Sequence, residues 1–334
     1  MRGLPTWIHE AVHSDPVRFI DVGARGGWQP KWQAHADLVT FVGFEPDRVE
    51  CARLRSTAKP NEHYLADCLA EAPGTATLYL CEPASRSSLY EPDLAAMDRI
   101  LGIDDATRLL GKETLQVTTL DRAIAPLSLG SIDSMKLDTQ GSELDILRGA
   151  TAALADPMIA IEVEAEFTPM YKGQPLFHDI AAFLGTRGYE LLDFPTLYST
   201  RRMRFMDRGR HGYTHVGQLV ANWASRLETN GRQLIYADAV FAREPNAWIS
   251  ALQSHGDRAR SIGLRGVVAL CILGYHARAA TAATALRHAD HLSGDELSQI
   301  HAFVSESTRP WRRIVEETAA MTSRLVHRLR RLRK

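Results

Sequence analysis

The sequence has few cysteines and no long apolar segment. Its four cysteines, Cys51, Cys68, Cys81 and Cys271, lack the short paired spacing that zinc sites use. We therefore predict free thiols and no structural metal. Residues 1–7 contain no continuous apolar stretch of the kind found in secretory signals. This absence predicts a cytoplasmic protein without a membrane span.

Neither sign of charge dominates the chain. Its 39 Lys and Arg residues are balanced by 40 Asp and Glu residues, and only 7% of the residues are aromatic. Proteins that bind nucleic acids need a basic surface and often aromatic rings on which bases stack. The composition therefore argues against a nucleic-acid partner, whereas 45% hydrophobic residues fit a globular protein with a large core.

Runs typical of strands and helices alternate through the first two thirds of the chain. Apolar runs predict strands at 19–23, 38–44, 64–66, 74–81, 115–118, 131–137, 158–163, 189–194 and 232–242. Helical periods fall between them, near Lys31 and at 48–57, 94–101, 143–154 and 177–184, with a loop at 85–90. The alternation predicts an α/β fold, with a mostly parallel sheet covered by helices on both faces.

Composition changes after Pro245, where Ala, Leu, Arg and His replace the β-rich runs. We place a domain boundary there, with residues 1–244 as the α/β domain and 245–334 as a helical module. The role of this module is open between positioning a substrate and mediating association into a homo-oligomer.

A glycine-rich turn follows the first predicted strand, in the run Asp21-Val22-Gly23-Ala24-Arg25-Gly26-Gly27. Such a turn lets the backbone approach a ligand closely. The second strand ends in Phe44-Glu45-Pro46, and the spacing from Asp21 to Glu45 places an acid at the ribose hydroxyls of a nucleoside. Together the two runs predict a cofactor of the adenosine type.

Five predicted strand ends carry polar or glycine residues: Gly23, Glu45, Asp67, Asp138 and Glu164. All five fall on the carboxyl edge of the predicted sheet, where open α/β folds bind ligands. We expect Asp67, after the third strand, either to bind the adenine amino group or to be an ordinary loop acid. For Asp138 the alternative is an N-cap of the following helix.

Six motifs in order resemble a known family. They are Asp21-Val22-Gly23-Ala24-x-x-Gly27, Phe44-Glu45-Pro46, Ser87-Ser88-Leu89, Lys136-Leu137-Asp138-Thr139-Gln140-Gly141-Ser142-Glu143, Leu147-x-Gly149-Ala150 and Asp238-Ala239-Val240-Phe241. Over roughly residues 18–243 the chain is similar to the FkbM-type S-adenosylmethionine-dependent methyltransferases. The resemblance implies a class I methyltransferase (Rossmann-like) sheet of seven strands with the last one antiparallel, and O-methylation of a sugar, a glycan or a small metabolite.

The resemblance also assigns the cofactor contacts. Glu45, with Pro46, would hold the ribose, Gly23 and Ala24 would contact the methionine portion through their backbone, and Asp67 with Cys68 would form the adenine rim. Ser88, from the third motif, is also expected to contact the cofactor. Asp21 is expected to organise the turn or to hold the amine. Arg25 departs from the small or polar residue usual in this turn; it would face the methionine carboxylate or point into solvent.

Methyl transfer to a hydroxyl needs an aligned acceptor oxygen and a group that removes its proton. Asp138 is the first candidate, ahead of Glu143, Glu164 and His178. A lone helix histidine such as His178 is also commonly structural. As an alternative, Asp138 and Glu164 would share a divalent cation, although no third ligand is evident and no metal is expected.

Two basic clusters suggest partners. The connection 198–213 contains Arg201, Arg202, Arg204, Arg208 and Arg210 with Phe205 between them. It predicts either an anionic acceptor, such as a phosphorylated sugar, or a solvated loop. The tail 323–334 has leucines on one helical face and arginines elsewhere, which predicts weak contact with the inner face of a membrane or packing against protein.

Two other functions compete with methyl transfer. A nicotinamide-dependent oxidoreductase shares the first two motifs, but Gly23-x-x-Gly26-Gly27 lacks the G-x-G-x-x-G register of that class. A methyltransferase fold that only binds its ligand is the other alternative.

Overall fold

The computed structural model describes residues 3–99, 107–199 and 233–307. The strands are β1 (Val17–Val22), β2 (Val39–Phe44), β3 (Glu62–Leu65), β4 (Cys68–Leu69), β5 (Gly74–Glu82), β6 (Arg108–Thr118), β7 (Ser134–Leu137), β8 (Ala160–Glu166), β9 (Tyr189–Ser199) and β10 (Leu234–Arg243). Seven of them form one sheet in the order β3-β2-β1-β7-β8-β10-β9. Strand β10 is antiparallel to both neighbours, and the other pairs are parallel. The predicted mostly parallel sheet with an antiparallel last strand is confirmed.

A second, three-stranded sheet in the order β4-β6-β5 stands beside the first. Its main part is an antiparallel pair that runs from Gly74 opposite Val117 to Glu82 opposite Arg108. The sequence predicted only 115–118 as the second of these strands. Residues 108–114 include Gly111, Lys112 and Glu113, which are rare in strands, so composition alone did not reveal the rest of β6.

The helices are α1 (Thr6–Ser14), α2 (Pro30–Gln33), α3 (Arg48–Ser56), α4 (Leu94–Arg99), α5 (Leu120–Ile124), α6 (Glu143–Arg148), α7 (Thr151–Ala155), α8 (Phe177–Gly185), α9 (Pro245–Gln253), α10 (Ala259–Ile272), α11 (His276–His288) and α12 (294–307). The single helix predicted at 143–154 is two short helices that meet at Gly149. A Cβ at Gly149 would lie 2.4 Å from the carbonyl oxygen of Ala70, so the chain packs closely there against the residues that follow β4. Within the described residues, no helix combines the length and apolarity needed to cross a bilayer.

Side chains of the central strands point alternately to the two faces of the sheet, and they divide the core into two layers. Val17 and Phe19 belong to one buried cluster, whereas Ile20 and Val22 belong to another. On the first face Trp32 stacks on Phe19 with ring centroids 4.1 Å apart. Helices therefore cover both faces, as the sequence predicted.

The helices after Pro245 share the first of these cores. Trp248, Val267 and Leu270 are fully buried in the same cluster as Val17 and Phe19 of β1. The predicted C-terminal helices are present and contribute to the same buried cluster as β1, and the domain boundary at residue 244 stays a prediction.

A buried arginine ties the helices to the sheet. Arg265 on α10 is 2% exposed; its Nε donates to Asp133 Oδ2 at 2.9 Å and its Nη1 to Asp15 Oδ2 at 2.7 Å. A further nitrogen, Nη2, donates to Ser131 Oγ at 2.6 Å. Asp133 also accepts the backbone N–H of Arg18 at 2.8 Å. One guanidinium thus joins α10 to the residues that precede β1 and β7.

We expect Arg265→Met to lower the free energy of unfolding by about 3–5 kcal/mol, because Asp133 would remain buried without its cationic partner. Chemical denaturation would measure the change. Arg287→Met is the control: Arg287 pairs with the exposed Asp290 and should cost less than about 1 kcal/mol. Equal losses in the two variants would contradict a special role for Arg265.

Candidate active site

A cavity of about 670 Å³ opens at the carboxyl ends of β1, β2 and β7. Strand order reverses at this point, because β1 lies between β2 and β7. Open α/β sheets bind ligands at such switch points, and the volume is in the range of small-molecule sites. The turn after β1, the acid that ends β2 and apolar side chains of the small sheet form its walls.

The turn after β1 rests directly on the end of β7. Gly23 has φ +89°, and a Cβ there would lie 2.0 Å from the carbonyl oxygen of Asp138. Only glycine fits this contact. The N–H groups of Gly23 and Ala24 both donate to the carbonyl oxygen of Phe44, at 3.0 and 2.9 Å. These N–H groups are therefore engaged within the turn, and Ala24, 1% exposed, does not line the cavity.

Glu45 and Arg25 share one wall of the cavity. Glu45 is 5% exposed and its Oε1 accepts the N–H of Asp47 at 2.9 Å. Burial raises the pKa of Glu45. The Nη2 of Arg25 donates to Asp47 Oδ2 at 2.6 Å, and its Nε lies 4.0 Å from Glu45 Oε2. Arg25 is therefore held by two carboxylates along the wall, an arrangement that neither sequence interpretation anticipated.

The end of the third strand also contributes to the cavity lining. Asp67 is exposed and lines the cavity, as does Pro46 from the turn after β2. Cys68 is 8% exposed, and burial raises the pKa of its thiol to about 11. The slot beside these residues is apolar, lined by Leu69, Leu78, Leu80, Leu115 and Ile146.

Ser88 joins the loop after the small sheet to the turn after β7. Its Oγ donates to the carbonyl oxygen of Gln140 at 2.7 Å and accepts the N–H of Tyr90 at 2.9 Å. The residue is 1% exposed and lies in the cavity wall. Both hydroxyl functions are used within the protein, so Ser88 shapes the cavity.

Asp138 lines the cavity at the end of β7. One of its oxygens, Oδ2, accepts from Lys136 Nζ at 2.9 Å, and the other, Oδ1, accepts from Gln140 Nε2 at 3.3 Å. Lys136 is buried, and its Nζ also lies 3.8 Å from Asp21 Oδ1. The helix-capping alternative for Asp138 is wrong, because α6 begins at Glu143 with Ser142 as its N-cap residue.

Gln140 connects the two predicted carboxylates and was missed by the sequence analysis. Its Nε2 donates to Glu164 Oε1 at 2.5 Å, and its Oε1 accepts the hydroxyl of Tyr171 at 2.9 Å. Its φ of +62° is uncommon for a residue other than glycine and is typical of functional turns. The available signal was its place in the Asp138 motif, next to Gly141.

The other two carboxylates proposed as bases contact the cavity only indirectly. Burial, followed by the charge of Asp138, raises the pKa of Glu164 well above its usual value. Glu143 is buried; its Oε1 accepts the N–H of Thr139 at 2.7 Å and its Oε2 the N–H of Gly141 at 2.9 Å. Burial raises the pKa of Glu143 to about 7. Glu143 therefore fixes the turn that presents Asp138.

The structure does not bring His178 to this site. Its side chain is 76% exposed on α8, 3.6 Å from Asp179, and it does not line the cavity. The motif that suggested it, Pro175 to Asp179, is the start of a surface helix whose buried face carries other residues. We therefore do not retain His178 as a base.

Acidic side chains continue across the same face of the sheet. Asp21 is in register with Lys136, and Lys136 with Glu162. One step further toward the carboxyl edge, Glu164 is in register with Asp238 of β10. Among the described parts of the chain, no three His, Cys, Asp or Glu side chains form a group suited to a metal ion. The shared-cation alternative thus gains no third ligand there.

The two predicted basic clusters at 201–210 and 323–334 lie outside the described residues. The anionic acceptor and the membrane contact that rested on them stay predictions of the sequence.

Asp21 gives the site a testable dependence on pH. It is 2% exposed, and burial raises its pKa to about 6. A raised carboxyl pKa stabilises the fold below the unfolded value of about 3.8, and this stability is lost as the pH rises through about 6. From about pH 7.5 to about pH 5, the wild type should gain about 1.4 kcal/mol relative to Asp21→Asn in urea unfolding. Asp67→Asn, an exposed change, should track the wild type; parallel curves for Asp21→Asn would contradict the assignment.

Comparison with known proteins identifies the family. The family model described as "Methyltransferase FkbM domain" matches residues 21–191, which is just over half of the chain and includes the turn after β1, Glu45 and the Asp138 motif. A search of curated proteins found no match. The family match disfavours the oxidoreductase alternative, whose glycine register is also absent. Since the geometry of the cavity and the family match agree, the chain belongs to the FkbM methyltransferase domain family.

Proposed function

We propose that the protein transfers a methyl group from S-adenosylmethionine to a hydroxyl group of a sugar, a glycan or a small metabolite. One observation carries the proposal: a cavity large enough for a nucleoside is lined by the Asp138 carboxylate, which is held by hydrogen bonds. Asp138 lines the cavity with the two residues that would hold the nucleoside, Glu45 and Asp67. The Asp138 carboxylate would thus be able to accept a proton next to the bound methyl donor.

The residues present fit that donor. Glu45 uses Oε1 on a backbone N–H, and Oε2 is left to accept from a ribose diol. The slot lined by Cys68 and Leu69 offers an apolar surface to a purine, with the Asp67 carboxylate at its rim. In the turn after β1 the N–H groups of Gly23 and Ala24 bind Phe44, and the carbonyl oxygen of Ala24 accepts the N–H of Gly27. The turn would therefore offer the carbonyl oxygen of Gly23, which lines the cavity, to the methionine ammonium.

When bound, S-adenosylmethionine would supply an electrophilic methyl group on a cationic sulfonium. Asp138 would accept the proton of the acceptor hydroxyl as its oxygen becomes methylated. Lys136 and the Gln140 amide hold the two oxygens of Asp138 in place. Glu164 would be a positioning residue that acts through Gln140, because its Oε1 accepts the same amide nitrogen that donates to Asp138.

A fold that only binds its ligand remains the competing proposal. The two differ at Asp138, because a binding module needs no base beside the methyl donor. The hydrogen bonds from Lys136 and Gln140 to Asp138 support the proposal that the protein is an enzyme.

We expect Glu45→Gln to weaken S-adenosylmethionine binding by about 10- to 100-fold, because the ribose would lose a charged hydrogen-bond acceptor. Isothermal titration calorimetry would measure the affinity. Glu62→Gln is the matched control: Glu62 pairs with Phe41 at the amino end of the sheet, away from the cavity. Absence of heat from the wild type at millimolar cofactor would refute the proposed donor.

We expect Asp138→Asn to lower turnover by about 10²- to 10⁴-fold with little change in cofactor affinity, because the amide cannot accept the proton. A panel of hydroxylated compounds incubated with donor carrying a labelled methyl group would identify an acceptor and give the rates. His178→Asn, an exposed change, should leave turnover unaltered. Equal turnover by wild type and Asp138→Asn would remove Asp138 as the base.

A further inference from the structure

Arg25 brings a positive charge to the turn after β1, beside the residues that would hold the cofactor. It lines the cavity, and its side chain is 34% exposed. Its Nη2 donates to Asp47 Oδ2 at 2.6 Å, and its Nε lies 4.0 Å from Glu45 Oε2. One guanidinium therefore faces both the carboxylate that would bind the ribose and a second carboxylate beside it.

Asp47 is itself held in place by the start of α3. Its Oδ1 accepts the N–H groups of Val49 and Glu50 at 2.9 and 3.2 Å, so it is the N-cap of this helix. Glu50 in turn accepts the N–H of Gly26 at 3.0 Å. The turn after β1 is thus tied twice to α3. Arg25 cannot swing toward the methionine portion of a cofactor without losing its charged hydrogen bond to Asp47.

The Glu45 carboxylate is buried close to other acids. Burial raises its pKa, and the charges of Asp47 and Glu50 act in the same direction. The N–H of Asp47 and, after it, the charge of Arg25 act in the opposite direction. The charged and titratable groups that act on Glu45 or respond to its charge are Arg25, Asp47, Glu50, Cys51, Asp67 and Cys68. Among these described groups, Arg25 alone is a cation.

We infer, resting on the proposed function, that Arg25 is a positioning residue for the ribose of the cofactor, because it keeps the Glu45 carboxylate ionised and turned toward the sugar. Oε1 of Glu45 is occupied by the N–H of Asp47, and Arg25 lies beside Oε2, the oxygen that remains for the ribose. A carboxylate held at both oxygens has a defined orientation. When ionised it accepts both hydroxyl groups of a ribose diol, whereas a protonated carboxyl must donate with one oxygen.

The other possible partner of Arg25 is the carboxylate of the methionine portion. The two roles differ in the part of the ligand that depends on Arg25. 5′-Methylthioadenosine separates them, because it keeps the purine, the ribose and the sulfur but has no carboxylate. A role toward the ribose requires Arg25 for this nucleoside as well as for S-adenosylhomocysteine, whereas a role toward the methionine portion requires it only for the latter.

We expect Arg25→Met to weaken both ligands by the same factor, about three- to tenfold at about pH 5.5 and less than about twofold at about pH 8. The loss grows as the pH falls, because Glu45 takes up its proton at a higher pH once Arg25 is absent. Titration calorimetry at each pH would measure the affinities. Arg25→Lys, which keeps the charge, should restore most of the affinity at the lower pH. Asp21 also titrates in this range, but it is the same in all these proteins and cancels in the ratio.

Arg53→Met is the matched control. Arg53 lies on α3, pairs with Glu50 at 2.7 Å and does not line the cavity. Its removal takes a positive charge from the same helix and should weaken neither ligand by more than about twofold at either pH. Weaker binding of S-adenosylhomocysteine by Arg25→Met with unchanged binding of 5′-methylthioadenosine would overturn the inference. A loss that is independent of pH, or equal in Arg25→Met and Arg53→Met, would also overturn it.

Urea unfolding tests the same contact without any cofactor. In a double-mutant cycle of Arg25→Met and Glu45→Gln, the coupling should change the unfolding equilibrium constant by about three- to tenfold at about pH 7.5. Because the pKa of Glu45 is raised above its ordinary value of 4.5, its carboxyl is protonated at about pH 4, and the coupling should vanish there. If S-adenosylhomocysteine does not bind in calorimetry, the proposed donor fails, and this cycle still decides the inference. If the ligand binds and the cycle shows no coupling at the higher pH, the inference alone is refuted.

Discussion

The site depends on the contact between the turn after β1 and the end of β7. A Cβ at Gly23 would come within 2.0 Å of the carbonyl oxygen of Asp138, so the two backbones are too close for any side chain at residue 23. This contact fixes where Asp138 stands relative to Glu45, because the N–H groups of Gly23 and Ala24 bind the carbonyl oxygen of Phe44 in the next strand. Three strand ends are thereby joined through main-chain atoms. Side chains placed on such a frame keep their spacing without needing many contacts of their own.

One face of the central sheet is apolar toward its amino edge and acidic toward its carboxyl edge. Phe19 packs in the core, whereas Asp21, two residues later on the same face, is a buried carboxyl beside Lys136. The same change occurs in β8, from Ala160 to Glu162. Helices from the C-terminal part cover the apolar region, and Arg265 anchors them to residues that precede β1 and β7. The acidic region is therefore the part of this face that is available for ligand chemistry.

Much of this arrangement could be predicted from the sequence. The glycine turn, Glu45 and Asp138 follow from local patterns, because each is a strand end with a characteristic residue. The mostly parallel sheet with helices on both faces follows from the alternation of elements. The role of Gln140 could not be predicted, since its bridge to Glu164 joins two strands that are separated in sequence. The ion pair of Arg25 with Asp47 could not be predicted for a similar reason, because Asp47 belongs to a different turn. The shared core of the C-terminal helices was also hidden, because composition reports a change of secondary structure but not which surfaces meet.

The Ser88 hydroxyl links the cavity wall to the turn after β7. It binds the carbonyl oxygen of Gln140, whose side chain in turn holds Asp138 and Glu164. The loop that carries Ser88 is also part of the cavity wall. The cavity wall is therefore tied by one hydrogen bond to the turn that carries Asp138 and Gln140. Loss of this hydroxyl would leave the cavity wall and that turn without their direct connection.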